Sequence, residues 1–244
     1  MHRFFADERG VVQGAAYLNA EDAGHALRVL RLESGDEVEL VCAPARYRAK
    51  IDSTEGGEVR LRVIEKLRDT EARTRVTLYQ GLPKADKMEL IVQKSTELGA
   101  AAIAPVAMIR SVVRLEGKDA AKKTERWQKI AREAVKQCAR VSAPEVRLPR
   151  KLSAMREELN ALDVLIVPWE DARGYSLTAF HREHQNIRDL AIVIGPEGGM
   201  SADEIARMKD CGCQSVTLGP RILRTETAGL CALSALFCLY GELE

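Results

Sequence analysis

The sequence predicts a two-domain protein in which a small β-barrel precedes an α/β domain built on a parallel sheet. Residues 11–64 contain short runs of alternating apolar and polar side chains, which are typical of half-buried strands. Beyond residue 76, short apolar runs alternate with helical patterns, which indicates a parallel sheet covered on both faces. The segment 65–75 is charged and poor in apolar residues, so we place the domains at residues 1–70 and 74–244.

The elements are predicted from periodicity and from start and stop residues. In the first domain, we expect a helix near 20–30 and strands within 37–42, 47–51 and 58–64. In the second domain, the strands are expected at 76–80, 101–106, 164–167, 191–194 and 215–218. Helices are expected at 86–98, where Gly99 is the stop signal, at 121–139 and at 228–240. The last helix is apolar on almost every face, so it must be buried all round, in a core or in a subunit interface. We favour packing within its own domain together with a homodimer contact.

Composition excludes several classes of protein. With 46% hydrophobic and 30% charged residues, the chain is neither disordered nor a disulfide-stapled miniprotein. The apolar run at 228–240 is shorter than the roughly 18 to 20 residues that span a bilayer, and acidic residues near the N-terminus argue against export. We therefore expect a cytoplasmic protein without a membrane partner. The six cysteines are expected to be reduced, buried thiols, and no metal site is predicted.

Charge is segregated along the chain although the net charge is only +1. Residues 71–151 carry 18 Lys and Arg against 9 Asp and Glu, whereas both flanking segments are acidic. In the predicted helix 121–139 and just beyond it, Lys129, Arg132, Lys136 and Arg140 are spaced to share one face. This basic third indicates phosphate contacts to a nucleic acid, with a merely solvated face as the alternative.

Two loops are the best candidates for a ligand site. The chain lacks a Walker P-loop, a dinucleotide-binding glycine motif, a nucleophile elbow and a zinc-protease motif. Instead, GPEGG at 195–199 connects a predicted strand to a helix that begins with a Ser201–Glu204 capping box. A second strand enters a Gly-Pro loop at 219–220, followed by Arg224, a predicted N-cap at Thr225, and Glu226. Loops that follow parallel strands meet at one sheet edge, so both are expected to line one pocket; a tight turn and a surface ion pair are the alternatives.

The ordered set of motifs resembles the bacterial 16S rRNA uracil-N3 methyltransferases, the small-subunit rRNA methyltransferase E family of the SPOUT superfamily. The resemblance covers essentially the whole chain and rests on HRFF at 2–5, HALRVLR at 25–31, QKSTELG at 93–99, QCAR at 137–140, GPEGG at 195–199 and LGPRILRTETA at 218–228. It implies a PUA-like N-terminal β-barrel, a SPOUT-type C-terminal domain with a trefoil knot, and a homodimer. Cys138 and the glycine-free hairpin at 43–45 depart from the family pattern, which weakens any role for position 138.

The resemblance also implies site residues. S-adenosylmethionine is expected to bind at Val167, Pro168, Gly195, Pro196, Glu197, Gly198, Gly199, Leu218, Gly219, Ile222 and Leu223. Arg224 is the candidate for stabilising the uracil anion, and Glu226 for accepting the N3 proton or orienting Arg224. RNA is expected at Arg3, Arg28, Arg31, Lys84, Lys94, Arg110, Arg114, Lys136 and Arg140.

The resemblance implies 16S rRNA as the substrate, and we favour the assembled small ribosomal subunit over free rRNA as its form. Two alternatives remain open at this point. One is a non-catalytic RNA-binding or ribosome-assembly protein that keeps the fold without using the cofactor. The other is a SPOUT methyltransferase that modifies another RNA position. The two-loop pocket alone does not distinguish between target atoms, and the choice of uracil N3 rests on the resemblance.

Overall fold

A computed structural model describes residues 1–170, 172 and 174–243. The chain divides into two compact units. The first contains Met1–Glu71 together with Ala139–Ser142, and the second contains Ala72–Cys138 and the chain from Ala143 onward. The boundary between Glu71 and Ala72 lies inside the charged segment 65–75. No sequence signal indicated that residues 139–142 belong to the first unit.

The first unit is a curled five-stranded sheet with one helix. Its elements are β1 (His2–Phe5), β2 (Ala15–Tyr17), α1 (Ala20–Arg28), β3 (Glu37–Cys42), β4 (Ala45–Ser53) and β5 (Arg60–Lys66), and the strand order is β1-β3-β4-β5-β2. An antiparallel bridge between Ala6 and Leu18 joins the ends of the two edge strands. Phe4, Leu40 and Leu61 are almost fully buried inside the sheet. The predicted barrel-like first domain is therefore confirmed at the level of a curled sheet with an interior core.

The second unit has a seven-stranded sheet in which every pairing is parallel. Its strands are β6 (Arg75–Gly81), β7 (Ala102–Ala107), β8 (Glu145–Val146), β9 (Arg150–Lys151), β10 (Val164–Pro168), β11 (Asp189–Ile194) and β12 (Gln214–Val216). Its helices are α2 (Lys87–Leu98), α3 (Gly117–Cys138), α4 (Arg156–Asn160), α5 (Leu177–Glu183), α6 (Ala202–Asp210) and α7 (Thr225–Leu239). The strand order is β12-β10-β11-β6-β7-β8, and β9 also pairs with β7. The predicted α/β class is confirmed.

Alternate residues of each central strand enter different hydrophobic cores. On β6, Leu78 packs with residues of α2, α3, α5 and α7, whereas Tyr79 packs with residues of α4 and α6. Ile192 and Val193 of β11 divide in the same way. Because successive strand side chains point to opposite faces, this division places helices on both sides of the sheet. Loops follow the carboxyl ends of β10, β11 and β12 at one edge of this sheet.

Helix α3 ends earlier than predicted. Ala139 has a φ of 71°, in the left-handed region, so the chain leaves the helix after Cys138. Arg140 then belongs to the first unit, where it is 6% exposed. The predicted basic face therefore stops at Lys136, and the inclusion of Arg140 in it is wrong. No sequence signal indicates this end, since alanine is a strong helix former that seldom adopts a positive φ.

The single chain covers α7 only in part, so the homodimer contact stays a prediction, and the expectation for the cysteines needs correction. Helix α7 buries Ala232, Leu233 and Leu236, but Cys231 and Cys238 are exposed, so it is not enclosed on every face by its own chain. All six cysteines are free, as predicted, yet Cys213 alone is buried. No helix in the described parts of the chain is long and apolar enough to cross a membrane.

Candidate active site

A cavity of about 590 Å³ opens at the carboxyl ends of β10, β11 and β12. Its walls come from three segments: residues 168–170 after β10, residues 194–200 after β11, and residues 217–225 after β12. Lys87 of α2 and Ala228 of α7 complete the lining. The prediction that the loops at 195–199 and 218–223 share one pocket is confirmed, because parallel strands deliver their carboxyl ends to the same edge.

Glycines in the loop 195–199, called the first loop, and in the strand beside it allow backbone segments to approach each other closely. Gly81, at the end of β6, lies so near the loop that a Cβ atom there would be 2.6 Å from the backbone nitrogen of Pro196. Gly199 has a φ of 70°, which few side-chain-bearing residues adopt. A Cβ atom on Gly198 would meet Arg110 at 3.1 Å. The loop is thus held tightly between β6 and the segment that carries Arg110.

The predicted capping box at the start of α6 is confirmed. The backbone N–H of Glu204 donates to Ser201 Oγ at 3.2 Å, and the backbone N–H of Ser201 donates to Glu204 Oε2 at 2.9 Å. Glu204 also accepts the backbone N–H of Ile109 at 2.8 Å. The side chain of Glu204, 4% exposed, therefore fixes the end of the first loop to the segment after β7.

Thr225 joins the two cavity loops, a role different from the one predicted. Arg224 holds the N-cap position of α7, and Thr225 is the first residue of the helix, so the predicted N-cap at Thr225 is wrong. The Thr225 hydroxyl donates to the carbonyl oxygen of Gly195 at 2.6 Å and accepts from Gln80 Nε2 at 2.8 Å. A buried hydroxyl is more stable when it is hydrogen-bonded, and here its partners lie in the other loop and in β6.

One ammonium group links two carboxylates beside the cavity. Lys87 Nζ lies 3.0 Å from Glu197 Oε1 and 3.1 Å from Glu226 Oε2. Glu197 also accepts the backbone N–H of Lys84 at 3.0 Å. The neighbouring carboxylates of Glu197 and then Glu226, which accept from the Lys87 ammonium, raise the pKa of Lys87. Lys87 therefore carries its positive charge at neutral pH.

The two carboxylates remain ionised at neutral pH. Burial alone would raise the pKa of Glu197, but backbone N–H donors and Lys87 outweigh it, so the pKa is lowered. The pKa of Glu226 is lowered for similar reasons: burial opposes the shift, while its own backbone N–H and Lys87, followed by the charge of Arg224, overcome it. A hydrogen bond to the charged form of an acid favours that form.

The predicted cofactor residues gather at this cavity with one exception. Pro168, Glu197, Ile222, Leu223 and the remaining predicted residues of both loops line it. Val167 does not, because it is fully buried in the core shared with α4 and α6. Arg224 lines the cavity, and Glu226 adjoins it through its ion pair with Lys87, which is part of the lining. The roles of these residues stay predictions.

The residues predicted for RNA binding fall into two groups. Arg28, Arg31, Lys84 and Arg114 are exposed, and Arg110 is exposed while also donating to the carbonyl oxygen of Gly198 at 3.1 Å. The others pair with carboxylates: Arg3 with Glu39 at 2.5 Å, Lys94 with Glu97 at 2.8 Å, Lys136 with Glu133 at 3.3 Å and Arg140 with Glu71 at 2.6 Å. RNA contact by these residues stays a prediction.

Several cavity residues were missed from the sequence. Trp169, Glu170, Met200 and Lys87 line the cavity, although none of them was predicted to do so. Trp169 and Glu170 follow β10 directly, so the rule that ligands bind beyond the carboxyl ends of strands predicts their position. Nothing in sequence spacing indicates that Lys87 meets both Glu197 and Glu226. Among the described residues, no group of three or more His, Cys, Asp or Glu side chains is arranged to hold a metal ion.

The cavity suits a ligand that has both apolar and charged parts. Leu218, Leu223 and Trp169 supply apolar surface, and glycines expose backbone groups to the interior. Lys87, Glu170 and Arg224 add charges at the wall. Pockets that bind cofactors typically have volumes of roughly 300–1,000 Å³ and combine apolar walls with a few convergent polar groups.

Comparison with known proteins gives consistent results. A sequence profile of RNA methyltransferase domains matches residues 70–237. The Bacillus subtilis ribosomal RNA small subunit methyltransferase E is 38% identical over 90% of this chain and 88% of its own length. The protein of the same name from Mycobacterium bovis is 31% identical over 95% of this chain and 89% of its own. A ribosomal RNA small subunit methyltransferase E from Neisseria gonorrhoeae, solved bound to S-adenosyl methionine, is 32% identical with a TM-score of 0.77 and covers 98% of both chains.

Proposed function

This chain belongs to the ribosomal RNA small subunit methyltransferase E family, and we propose that it transfers a methyl group from S-adenosylmethionine to N3 of a specific uridine in 16S rRNA. The observation that carries the proposal is the cavity of about 590 Å³ built from two glycine-containing loops that Thr225 and Lys87 hold together. It lies in the part of the chain that matches RNA methyltransferase domains.

The residues around the cavity fit S-adenosylmethionine. Leu218, Leu223 and Trp169 provide apolar surface for the adenine, and the Gly195–Gly199 loop offers backbone groups for its polar atoms. The ionised Glu197 and Glu226 tolerate a cationic ligand better than a polyphosphate. When bound, the cofactor supplies an activated methyl group on a sulfonium centre.

The chemical task left to the protein is to prepare the uracil. N3 of neutral uracil carries a proton, so a residue must accept it, and the negative charge that develops on O2 and O4 must be stabilised. We assign charge stabilisation to Arg224, which lines the cavity, and proton acceptance to the ionised carboxylate of Glu226. Lys87 adjoins Glu226 and adds positive charge at the same wall.

We extend the proposal to a trefoil knot in the second unit. Strand β12 pairs with β10 at the sheet edge, but α7, which follows it, packs against α2, α5, β6 and β11. Backbone hydrogen bonds from Trp169 to Val216 and from Thr217 to Tyr175 tie the segment after β10 to the segment after β12. These contacts support the proposal, because a trefoil knot requires the chain end to pass through an earlier loop.

The remaining parts of the proposal concern the assembly. The first unit, a curled sheet, serves as a PUA-like module that helps to bind RNA, with Arg28 and Arg31 among its exposed cations. The protein acts as a homodimer, which the exposed Cys231 and Cys238 on α7 and Ile222, 84% exposed, support. Its substrate is the assembled small subunit, and it therefore works in the cytoplasm.

Product analysis tests the proposal. Purified protein is incubated with radiolabelled S-adenosylmethionine and small ribosomal subunits that lack the modification, and the digested RNA is separated into nucleosides. We expect the label in 3-methyluridine. Label in another nucleoside would leave a methyltransferase with a different target atom, and no label together with no cofactor binding by calorimetry would favour a non-catalytic RNA-binding protein.

A further inference from the structure

Three segments of the second unit meet at one side chain. Lys87 is the first residue of α2, Glu197 lies in the loop after β11, and Glu226 is the second residue of α7. The Lys87 ammonium is within 3.1 Å of both carboxylates, and its side chain is 30% exposed. Glu226 is only 16% exposed, so water screens its charge less than at a free surface.

We propose that Lys87 is a positioning residue for methyl transfer, which joins Glu197 to Glu226 and holds the Glu226 carboxylate in its ionised, proton-accepting form. This role rests on the proposed function, in which Glu226 accepts the N3 proton. Without Lys87, Glu197 and Glu226 would be two partly buried carboxylates without their common cation. Two like charges in one site favour protonation of one of them.

Other charged side chains near the cavity come from several segments. Glu170 follows β10, and Glu197 lies in the loop after β11. Arg221 and Arg224 lie in the loop before α7, and Arg110 reaches the Gly198 carbonyl from the segment after β7. Among the described residues, Lys87 is the cation that forms an ion pair with Glu226. Removal of Lys87 is therefore the change that affects Glu226 most directly.

Backbone N–H groups at the helix N-termini do not by themselves link Glu197 to Glu226, and a lysine side chain is needed for that link. Glu197 accepts the Lys84 backbone N–H and Glu226 lies in the first turn of α7, so each carboxylate already has a backbone donor. The Lys84 donor ties Glu197 to the segment before α2, whereas the backbone donor to Glu226 is its own N–H at the start of α7. Lys87 makes the contact that is shared between the two, and it therefore couples the first loop to the start of α7.

The first test measures Glu226 directly, in protein without cofactor or RNA. Carbon-13 NMR titration of the glutamate carboxyl groups, with Glu226 assigned by its loss in Glu226→Gln, is carried out on wild type, Lys87→Met and Lys87→Arg. We expect the pKa of Glu226 to be higher in Lys87→Met than in wild type, and Lys87→Arg to restore most of the difference. An identical Glu226 titration in wild type and Lys87→Met would overturn the proposal.

The second test measures turnover against pH. We expect Lys87→Met to move the acid limb of the pH profile to higher pH, so that kcat falls relative to wild type most strongly below neutral pH, where protonation of Glu226 removes the proton acceptor. Calorimetry is expected to show a smaller change in the Kd of S-adenosylmethionine. Lys87→Arg should recover much of kcat, whereas equal failure of both variants would reduce Lys87 to a structural role and contradict the proposal.

Controls separate the possible failures. Arg75→Met removes an exposed cation that pairs with Asp189 at the opposite, amino-terminal edge of the sheet, and is expected to behave as wild type. If Lys87→Met does not fold, as judged by circular dichroism, Lys87→Gln replaces it. If wild type is active and Lys87→Met has an unchanged pH profile, only the role of Lys87 is overturned. If wild type itself produces no 3-methyluridine, the proposed function is overturned.

Discussion

The Thr225 hydroxyl donates a 2.6 Å hydrogen bond to the carbonyl oxygen of Gly195, and this contact ties the start of α7 to the loop after β11. Both loops line the cavity, so their relative position decides its shape. Gln80 Nε2 donates to the same hydroxyl, which extends the link to the central strand β6. The hydroxyl is therefore a structural requirement of the cavity, separate from any chemical step.

Replacing Thr225 by valine removes this link while keeping the side-chain shape. We expect Thr225→Val to lower the free energy of unfolding by roughly 1–3 kcal/mol, because the half-buried Gly195 carbonyl and the buried Gln80 amide each lose a hydrogen-bond partner. The Kd of S-adenosylmethionine is expected to rise as well. Urea denaturation and calorimetry measure the two effects. Thr225→Ser is the matched control, and a valine variant as stable as wild type would contradict the role of this hydroxyl.

Arg224 is expected to act on the reaction more than on cofactor binding. Its side chain lies at the cavity wall and makes no capping hydrogen bond to α7. We predict that Arg224→Ala lowers kcat by about 10²–10³-fold, as is typical when one group that stabilises a developing anion is removed, while the cofactor Kd changes little. Arg221→Ala, an exposed arginine of the same loop, should lose much less activity. Near-normal turnover of Arg224→Ala would exclude it from the chemistry.

The parts of the site that the sequence predicted are those that depend on local patterns. Strand runs, the Ser201–Glu204 capping box and the glycines at 195–199 are local signals, and the parallel topology then brings both loops to one edge. The roles of Thr225 and Lys87 were not predicted, because their partners are distant in sequence, at Gly195, Glu197 and Glu226. Such contacts follow from the fold and have no spacing rule.

The basic residues illustrate the same limit. The spacing of Arg140 matched a helical face, but the left-handed Ala139 redirects the chain, and Arg140 pairs with Glu71 in the first unit. Charge counting identified the basic segment correctly, yet it does not show which cations are engaged by neighbouring carboxylates. That distinction needs coordinates.

Salt dependence of RNA binding distinguishes the two groups of cations. We predict that Lys84→Ala and Arg114→Ala, which remove exposed charges, each raise the Kd for the RNA and reduce the slope of log Kd against log salt by about 0.7 to 1. The structure changes our expectation for Arg140→Ala, whose guanidinium is engaged by Glu71: the slope should be unchanged. Binding is measured over a salt series, and an unchanged slope in both exposed variants would remove them from the RNA site.

Arg140→Ala should instead affect folding. Arg140 donates to Glu71 through both Nε and Nη2, and its side chain is 7% exposed. Loss of hydrogen bonds to a charged partner costs roughly 1.5–3 kcal/mol. We therefore expect a lower unfolding free energy for this variant, measured by urea denaturation. A variant with wild-type stability and a reduced salt slope would restore Arg140 to the RNA site.

A polar cluster on the other face of the sheet predicts a pH dependence of stability. The hydroxyl of Tyr79, a fully buried residue of β6, donates to Glu158 Oε1 of α4 at 2.6 Å, and Arg147 and Arg150 pair with the same carboxylate. Burial opposes ionisation of Glu158, but the tyrosine hydrogen bond and the two arginines outweigh it, so its pKa is lowered from the ordinary value of 4.5. Burial, followed by the hydrogen bond to Glu158, raises the pKa of Tyr79.

The lowered pKa of Glu158 sets the sign of the effect. A carboxyl group whose pKa is lower in the folded state stabilises the fold fully above its unfolded value and loses this contribution as pH falls through the folded value. We expect Glu158→Gln to be less stable than wild type at pH 7, and the difference to shrink as pH drops below about 4.5. Tyr79→Phe keeps the ion pairs of Glu158 with the two arginines and should lower the free energy of unfolding by about 1 kcal/mol. Thermal melts between pH 3 and 7 measure both, and a pH-independent difference for Glu158→Gln would show that the ionised carboxylate is not the source of the stability.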